Sequence, residues 1–341
     1  MTDDVTTPRL TEEQLRLLFQ LESIFMPQAR RQREDAYNRL KETRIGDGQL
    51  RFVHYTSAEA AIKIIRSKRL WMRNTTCMAD YREVLHGYDI LYKVFSDRSK
   101  GGAFVSALDE CVSGVGQEAF NLFDTWWNQS KFDIYVTSIS EHDKREDDYG
   151  RLSMWRAFGG SGVRVALVIK VPKVSQGALA LGLMFSPVAY LREEEVHAVI
   201  QEVVQNIGAN CNFLRSLNRD VLIGTVLNML VAGVTCLKHE GFREEREWRA
   251  LYIPKLQTSP IMESTTEVVA GVPQLVYKVP LDASVSPDLA DLDFSRIFDR
   301  LIIGPSSYPW VLYDSFTREL AQAGIQAARD QVWNSNIPIR T

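Results

Sequence analysis

The chain of 341 residues carries a net charge of -3, and 45% of its residues are hydrophobic while 24% are charged. This composition is typical of a globular protein with a sizeable core, and the length fits one large domain or two smaller ones. The small negative charge excludes a global basic field, so any binding of nucleic acid must depend on a local patch.

The cysteines and the apolar stretches bear on the cellular location. The four cysteines, at positions 77, 111, 211 and 236, are widely scattered and none falls in a CxxC or Cys/His ligand spacing, which predicts reduced thiols. The N-terminus lacks the apolar run of a signal peptide, and the stretches 163–171 and 221–234 are shorter or more interrupted than the ~20 apolar residues that span a bilayer. We therefore expect a cytoplasmic protein that does not contact a membrane.

The first predicted elements are helical. An apolar stripe from Leu10 to Phe25 predicts a helix with Thr11 as its N-cap, and Pro27 should end or kink it. The residues 30–44 that follow form the most basic run of the chain, interleaved with acidic residues. This run is typical of a solvated helix face, and a nucleic-acid contact surface is the alternative. We assign residues 1–48 to an N-terminal helical extension.

A strand over residues 50–55 is predicted to lead into a helix and then a second strand. This order places His54 and the hydroxyl groups of Thr56 and Ser57 where a strand ends and a helix begins. Backbone N–H groups at a helix N-terminus favour anions, and a histidine beside them can hydrogen-bond a ribose hydroxyl. The alternative is that His54 is a core histidine with a local partner and that Thr56 caps the helix.

The helix predicted over residues 81–95 raises the question of a metal site. Asp80, Glu83 and His86 are spaced three apart, so they would lie roughly on one face of this helix and could bind a metal ion. The alternative is that the two acidic residues interact with the positive N-terminal end of the helix. We favour the second interpretation and assign no metal ligands.

The middle of the chain predicts two strands and a helical insertion. Alternating, β-branched residues predict a strand over 132–140 that ends in small hydroxyl residues, among them Ser138. Trp155 lies in an aromatic turn that leads into 163–171, which predicts a strand buried on both faces. The absence of a GxGxxG fingerprint and of a Walker A motif excludes the usual Rossmann and P-loop folds. Two or three helices are predicted within residues 190–238.

A charged segment within residues 238–253 turns directly into an apolar, strand-like one. Glu245, Glu247 and Arg249 alternate there, so they would share one face of a strand and Trp248 would lie on the other. Two carboxylates and a guanidinium on one face are costly to bury unless they pair or act. The segment is therefore either a solvated edge strand with a cross-strand ion pair or part of a site.

Together these elements predict an α+β protein with a mixed or antiparallel sheet. The N-terminal helices precede a core domain over residues 49–310, which contains the helical insertion at about 190–238. Residues 311–341 are expected to form a C-terminal helix and tail that pack on this core. No internal repeat or low-complexity segment is present.

Several separated motifs occur in an order that resembles a bacterial family of unknown function. The resemblance runs from about Phe52 to Ser306 and leaves out the N-terminal helix and most of the helical insertion. Ala79 departs from the pattern, because an asparagine is expected before Asp80. The motifs are His54–Ser57, Asp80 with Glu83, Thr137–Ser140, Met154–Trp155 with Gly162, Lys238 with Glu245–Arg249, and Ile302–Gly304.

More distantly, the same arrangement resembles the ADP-ribosyltransferase superfamily. Its members pair an early strand that ends in His-x-Thr with a late strand that carries a glutamate. The resemblance implies a split sheet that binds NAD, in which His54 contacts the ribose and Tyr55 and Thr56 support it. It also implies that Glu247 is the catalytic residue and that Glu245 orients the acceptor.

The remaining site residues are also implied by this resemblance. Ser138 or Ser140 would hold the first motif in place, and Tyr135 or Trp155 would stack on nicotinamide. Arg249, on the same face as the catalytic glutamate, would keep it ionised and could contact the pyrophosphate.

The leading prediction is an NAD-consuming ADP-ribosyltransferase, with a role as a toxin or phage-defence effector that modifies a protein or a nucleic acid. Cleavage of an N-glycosidic bond builds positive charge on ribose, which a carboxylate in a partly dry cleft stabilises. One alternative is a nucleotide- or nucleic-acid-binding module without turnover, in which the basic N-terminal helix contacts phosphates. The other is a metal-dependent hydrolase. No motif identifies the acceptor, a regulatory partner or the oligomeric state.

Overall fold

The protein is represented by a computed structural model, which describes residues 11–42, 49–77, 80–96, 101–157, 162–269 and 271–338. Its helices are α1 (Glu12–Phe25), α2 (Pro27–Glu42), α3 (Ala58–Ser67), α4 (Asp80–Ser96), α5 (Gly101–Cys111), α6 (Val115–Ser130), α7 (Leu152–Ala157), α8 (Gln176–Ala180), α9 (Glu193–Ala209), α10 (Cys211–Ser216), α11 (Arg219–Thr235), α12 (Phe294–Ile297) and α13 (Pro309–Gln322). Its strands are β1 (Leu50–Ser57), β2 (Arg69–Asn74), β3 (Tyr135–Glu141), β4 (Arg164–Val171), β5 (Met184–Pro187), β6 (Ala189–Tyr190), β7 (Leu237–Lys238), β8 (Glu247–Tyr252), β9 (Glu263–Val269), β10 (Val272–Pro280), β11 (Phe298–Ile303) and β12 (Val332–Asn334).

The first described residues fold as their local signals predict. Thr11 caps α1 through a reciprocal capping box, in which the Thr11 hydroxyl accepts from the Gln14 N–H and the Gln14 side chain accepts from the Thr11 N–H. Pro27 separates the two helices and is the first residue of α2, where a missing N–H costs nothing. Leu10, which the predicted apolar stripe included, lies outside the described residues.

A single large sheet organises the part of the chain that the structure describes. Its strands follow the order β12-β11-β4-β1-β3-β2-β10-β9, with β8 paired to β3 and β5 paired to β8. Most pairs are antiparallel, whereas β11 and β12 are parallel. The predicted α+β fold with a mixed, mostly antiparallel sheet and N-terminal helices is therefore confirmed.

The sheet splits along one edge of β3. β8 pairs with the whole of the opposite edge, from Tyr135 to Ser140. On the split edge, β2 pairs with Tyr135 and Val136, whereas β1 pairs with Ser140 and Glu141. Residues 137–139 therefore lie between two strands that diverge, and this gap is called the split below. A ladder that stops in this way leaves backbone groups available to side chains.

Helices pack on the sheet and build its cores. The largest core joins buried side chains of α1, α4, α5, α6, α9 and α11 to residues of β3 and β8. The predicted insertion forms three helices within the described residues, α9, α10 and α11. In the same ranges, none of the helices has both the length and the apolar character that crossing a bilayer requires.

Two of the cysteines are linked. Cys111 in α5 and Cys211 in α10 form a disulfide, with their Cα atoms 5.0 Å apart. The prediction of reduced thiols is therefore wrong for this pair, whereas Cys77 and Cys236 are free. The partners are 100 residues apart in the sequence, and cysteine spacing alone does not reveal which helices meet.

Candidate functional site

β8 carries the charged stretch into the interior of the protein. It pairs with β3 on one side and with β5 on the other, so it is not an edge strand. Glu247 and Arg249 are only 5% and 1% exposed. The interpretation as a solvated edge strand is therefore wrong, and the segment holds a buried charge pair that needs a compensating environment.

Glu245 does not belong to this strand. It ends a 3-10 helix, Glu240–Glu245, and Arg246 adopts a left-handed backbone with φ of 45° before β8 begins at Glu247. The predicted strand, which began at Glu245, therefore starts two residues too early. The turn nevertheless brings the Glu245 carboxylate close to that of Glu247, because both contact Lys238. Glu245 Oε2 lies 2.7 Å from Lys238 Nζ.

Among the described residues, five charged side chains form what is called the cluster below: Glu83, Lys238, Glu245, Glu247 and Arg249. Lys238 Nζ lies 3.2 Å from Glu247 Oε2 and 3.0 Å from Glu83 Oε1. Arg249 Nε lies 2.8 Å from Glu247 Oε1, and Arg249 Nη2 pairs with Glu83. Three carboxylates against two cations leave one formal negative charge. Buried groups with such an imbalance mark candidate sites.

Neutral groups hold the two central members of the cluster in place. The Ser138 hydroxyl donates to Glu247 Oε1 at 2.6 Å, and the Glu247 N–H donates to the Tyr190 hydroxyl at 2.8 Å. Arg249 Nη1 donates to the Thr235 carbonyl at 2.6 Å. The carboxylate and the guanidinium are thus fixed from several directions, which is the preorganisation that a charged site requires.

The carboxyl groups of Glu245 and Glu247 have different proton affinities. Burial alone would raise the pKa of the Glu247 carboxyl, but Arg249 and Lys238 outweigh it and lower this pKa from 4.5 to about 2. Burial raises the pKa of Glu245, and Lys238 offsets only part of the effect. One carboxyl is therefore held ionised while the other takes up a proton more readily. Carboxyl pairs with diverging pKa values are typical of acid–base sites.

We expect the ionised Glu247 carboxylate to make stability depend on acid pH. Because its pKa is lowered on folding, the ionised form stabilises the folded protein above pH 4.5. This contribution, about 3 kcal/mol, is lost as the pH falls from the unfolded value toward the folded one. Urea unfolding of the wild type and of Glu247→Gln should show a large difference at pH 7 that shrinks toward pH 3. A difference that is the same at both values would contradict the lowered pKa.

His54 meets Ser138 at the split. His54 Nδ1 lies 3.1 Å from the Ser138 carbonyl oxygen, which can only accept, so Nδ1 carries the proton and Nε2 carries a lone pair. Burial lowers the pKa of the imidazole, which favours its neutral form. Ser138 therefore joins the two predicted motifs, because its carbonyl binds His54 and its hydroxyl binds Glu247.

The imidazole and the carboxylate approach Ser138 from opposite faces of the sheet. Val53, Ser140 and Glu247 lie opposite one another in adjacent strands, so their side chains share one face. His54 follows Val53 along β1 and therefore points to the other face. The two side chains therefore lie on opposite faces of the sheet, with the backbone of β3 at Ser138 between them.

Thr56 lies two residues after His54 and points to the same face. The cap of α3 is Ser57, whose hydroxyl accepts from the Ala60 N–H at 3.1 Å. Ser57, and not Thr56, therefore caps the helix, and the half-buried Thr56 lies on the same face of β1 as His54.

The predicted aromatic residues lie away from the cluster. Tyr55 and Trp155 are each 6% exposed and pack edge to face, with ring centroids 4.8 Å apart. The Tyr55 hydroxyl accepts from the Arg151 N–H at 2.7 Å. Tyr135 is 4% exposed and belongs to a different core. None of these three aromatic residues, Tyr55, Tyr135 and Trp155, therefore belongs to the cluster.

Arg151 holds the turn that presents Glu245. Its Nη1 atom donates to the carbonyls of Glu244 and Glu245 at 2.8 and 2.9 Å, and Nη2 donates to the Glu141 carbonyl at 2.8 Å. Its Nε atom donates to Glu146 Oε1 at 2.9 Å. One guanidinium thus joins the loop after β3 to the turn before β8. The sequence does not distinguish this arginine from the exposed Arg145 in the loop after β3.

The described arginines of the basic helix α2 are committed to ion pairs, whereas the side chain of Lys41 and residue Arg44 of the predicted basic run lie outside the described residues. Every arginine of α2 is paired with a carboxylate, and two of these carboxylates belong to α9 and β3. Such pairs attach α2 to the rest of the protein and reduce the positive charge available to phosphate groups. The pairs are Arg30 with Glu34, Arg31 with Glu202, Arg33 with Glu22, and Arg39 with Glu141.

Glu83 contributes to the cluster, where it contacts Lys238 and Arg249. His86 is exposed, and the side chain of Asp80 lies outside the described residues. Within the described ranges, no group of three His, Cys, Asp or Glu residues is arranged to hold a metal ion. The spacing of Asp80, Glu83 and His86 predicts a shared helical face, but it does not reveal that Glu83 contacts Arg249 of β8.

One known protein family matches a segment of the chain that contains Lys238, Glu245, Glu247 and Arg249. The model of a family described as a protein of unknown function (DUF2971) matches residues 154–250, from α7 to β8. The match contains the charged stretch and the helical insertion, and it begins after His54 and Ser138. No curated protein and no solved structure matches the chain. Over residues 154–250 the chain is therefore similar to a family whose function is unknown.

Proposed function

We propose that the protein is an ADP-ribosyltransferase-like enzyme that cleaves NAD and transfers ADP-ribose to a protein or nucleic acid. The observation that carries this proposal is the link through Ser138, whose carbonyl binds His54 and whose hydroxyl binds Glu247. When nicotinamide leaves, the ribose gains positive charge, and an enclosed, ionised carboxylate stabilises that charge. Glu247 has both properties.

The charge of the cluster supports the same chemistry. Its single net negative charge would attract a cationic nicotinamide ribosyl group, more strongly in a partly dry site than in water. The side chains of Glu83 and Glu245 are 20% and 24% exposed and form the side from which a substrate can approach. Arg249 is 1% exposed, which suits it to holding Glu247 ionised rather than to contacting pyrophosphate.

The remaining roles follow from the proton positions. A neutral His54 can accept a hydrogen bond from a ribose hydroxyl through Nε2, since Nδ1 donates to Ser138. Glu245, whose pKa is raised, is the better proton acceptor of the two glutamates and would activate the nucleophile of the acceptor. The proposal includes a cytoplasmic effector role, as a toxin or in phage defence, because unregulated consumption of NAD would damage a cell.

We expect Glu247→Gln to abolish nicotinamide release from NAD. Loss of the carboxylate removes the charge that stabilises the ribosyl cation, so the rate should fall by about 100-fold or more. Glu245→Gln should retain more nicotinamide release than transfer, since its role is toward the acceptor. Chromatography of nicotinamide and transfer of labelled ADP-ribose measure the two steps separately.

Glu244→Gln provides the matched control, because Glu244 is an exposed glutamate in the same turn. Its activity should stay within about twofold of the wild type. Thermal unfolding of each variant separates loss of activity from loss of fold. If the wild type released no nicotinamide, the proposed function would be wrong. If folded Glu247→Gln were as active as the wild type, the assignment of Glu247 would be wrong.

A further inference from the structure

A disulfide attaches the helical insertion to an earlier helix. It joins Cys111, the last residue of α5, to Cys211, the first residue of α10. The partners are 100 residues apart, so the covalent loop includes β3, β4 and the helices α6 to α9. A bond that closes so long a loop restricts the unfolded chain, and it therefore stabilises the folded protein.

Other contacts attach the insertion at the same place. Arg215 in α10 donates from Nε to the Cys111 carbonyl at 2.9 Å, and Leu214 is buried in the largest core. Arg219, the first residue of α11, donates from Nη1 to the Ser113 carbonyl at 2.8 Å. Because none of these contacts involves a sulfur atom, they do not depend on the disulfide. We therefore expect the protein to stay folded when the disulfide is reduced.

The two cysteines differ in their surroundings. Cys111 is 6% exposed, and its Sγ atom lies 3.8 Å from the Ile207 carbonyl oxygen. This oxygen can accept a hydrogen bond from the thiol that reduction would create. Cys211 is half-buried, and the residue that follows it, Asn212, is exposed. A small thiol therefore has easier access to Cys211, while the leaving group, Cys111, has an acceptor beside it.

We propose that the bond between Cys111 and Cys211 is a reversible redox switch that controls how firmly α10 is held. Glutathione disulfide forms the bond: the two protein thiols lose two electrons and two protons, and two glutathione thiols result. In reduction, a glutathione thiolate attacks Cys211 Sγ, Cys111 leaves as a thiolate, and a second glutathione releases Cys211. In a reducing compartment the dithiol is the resting form, so the bond forms on oxidation. The switch does not depend on the proposed reaction.

Thermal unfolding of the full chain tests the proposal after equilibration with either glutathione disulfide or reduced glutathione. Peptide mapping by mass spectrometry should find Cys111 and Cys211 linked in the first sample and free in the second. We expect the reduced protein to unfold cooperatively, with a Tm lower by about 5 °C or more. Hydrogen exchange at residues 210–218 should be about tenfold faster in the reduced protein, since α10 is then held by fewer contacts.

Cys77→Ser is the matched control, because Cys77 is a free, exposed cysteine and its loss should leave the redox-dependent shift of Tm unchanged. Cys211→Ser should abolish the shift and unfold at the Tm of the reduced wild type. If glutathione disulfide produced no linked peptide, or if the wild type had the same Tm in both samples, the switch would be overturned. Loss of the cooperative transition on reduction would also overturn it, since the fold would then require the bond.

Discussion

Replacing Arg249 with methionine should lower the free energy of unfolding by about 3–5 kcal/mol, the largest effect that we expect from a single substitution in this protein. Arg249 is 1% exposed and pairs with Glu247 and Glu83. Without it, Lys238 faces three carboxylates alone. Urea unfolding at pH 7 measures the loss.

Two further variants distinguish broken pairing from a simple loss of packing. Arg246→Met removes an exposed arginine of the same segment and should change stability by no more than about 0.5 kcal/mol. The double variant Arg249→Met with Glu247→Met should recover part of the loss, because an apolar pair avoids an unpaired buried charge. A double variant less stable than Arg249→Met would contradict the view that unpaired charge causes the loss.

Replacing Arg151 with methionine should lower the free energy of unfolding by about 2–4 kcal/mol. The substitution leaves the carbonyls of Glu141, Glu244 and Glu245 without their shared donor. These carbonyls belong to the loop and the turn that position Glu245. We therefore also expect faster hydrogen exchange in the turn at residues 240–246, while exchange in β10 should be unchanged.

The control for this experiment is Arg145→Met in the same loop. The side chain of Arg145 is 87% exposed and pairs with Asp143, so its loss should have little effect on stability. Hydrogen exchange followed by mass spectrometry resolves the turn from the strands. If exchange at residues 240–246 were the same in Arg151→Met and the wild type, Arg151 would not be the residue that positions this turn.

The local parts of the fold could be predicted from the sequence because they depend on neighbouring residues. The N-cap at Thr11 and the helix break at Pro27 are set within a few positions. The burial of Trp248 opposite a charged face follows from the period of two in a strand. These signals act within a few residues, whichever distant segments pack against the helix or strand.

The parts of the site that sequence analysis missed depend on distant contacts. Glu83 reaches Arg249 across 166 positions, and no pattern within α4 indicates that a strand arginine lies opposite. The alternating pattern predicts a start of β8 that is too early, because the left-handed backbone at Arg246 is unusual for a residue other than glycine. Residue type alone suggests Trp155 as a residue that stacks on nicotinamide. Its packing against Tyr55 depends on how α7 meets β1, which residue type does not reveal.

The position of β1 in the sheet has a consequence for how the protein is made. β1 pairs with β4 and β3, which the ribosome synthesises much later, and β4 pairs in turn with β11 near the end of the chain. The four central strands, β4, β1, β3 and β2, lie within residues 50–171, whereas their flanking partners β11 and β10 begin after residue 271, so the sheet cannot be completed until most of the chain has been synthesised, which favours slow, late folding. For the same reason a fragment cut at the limits of the family match, residues 154–250, would keep β4 but lose both of its neighbours. We expect such a fragment to aggregate during expression, whereas the full chain can bury both edges of the strand.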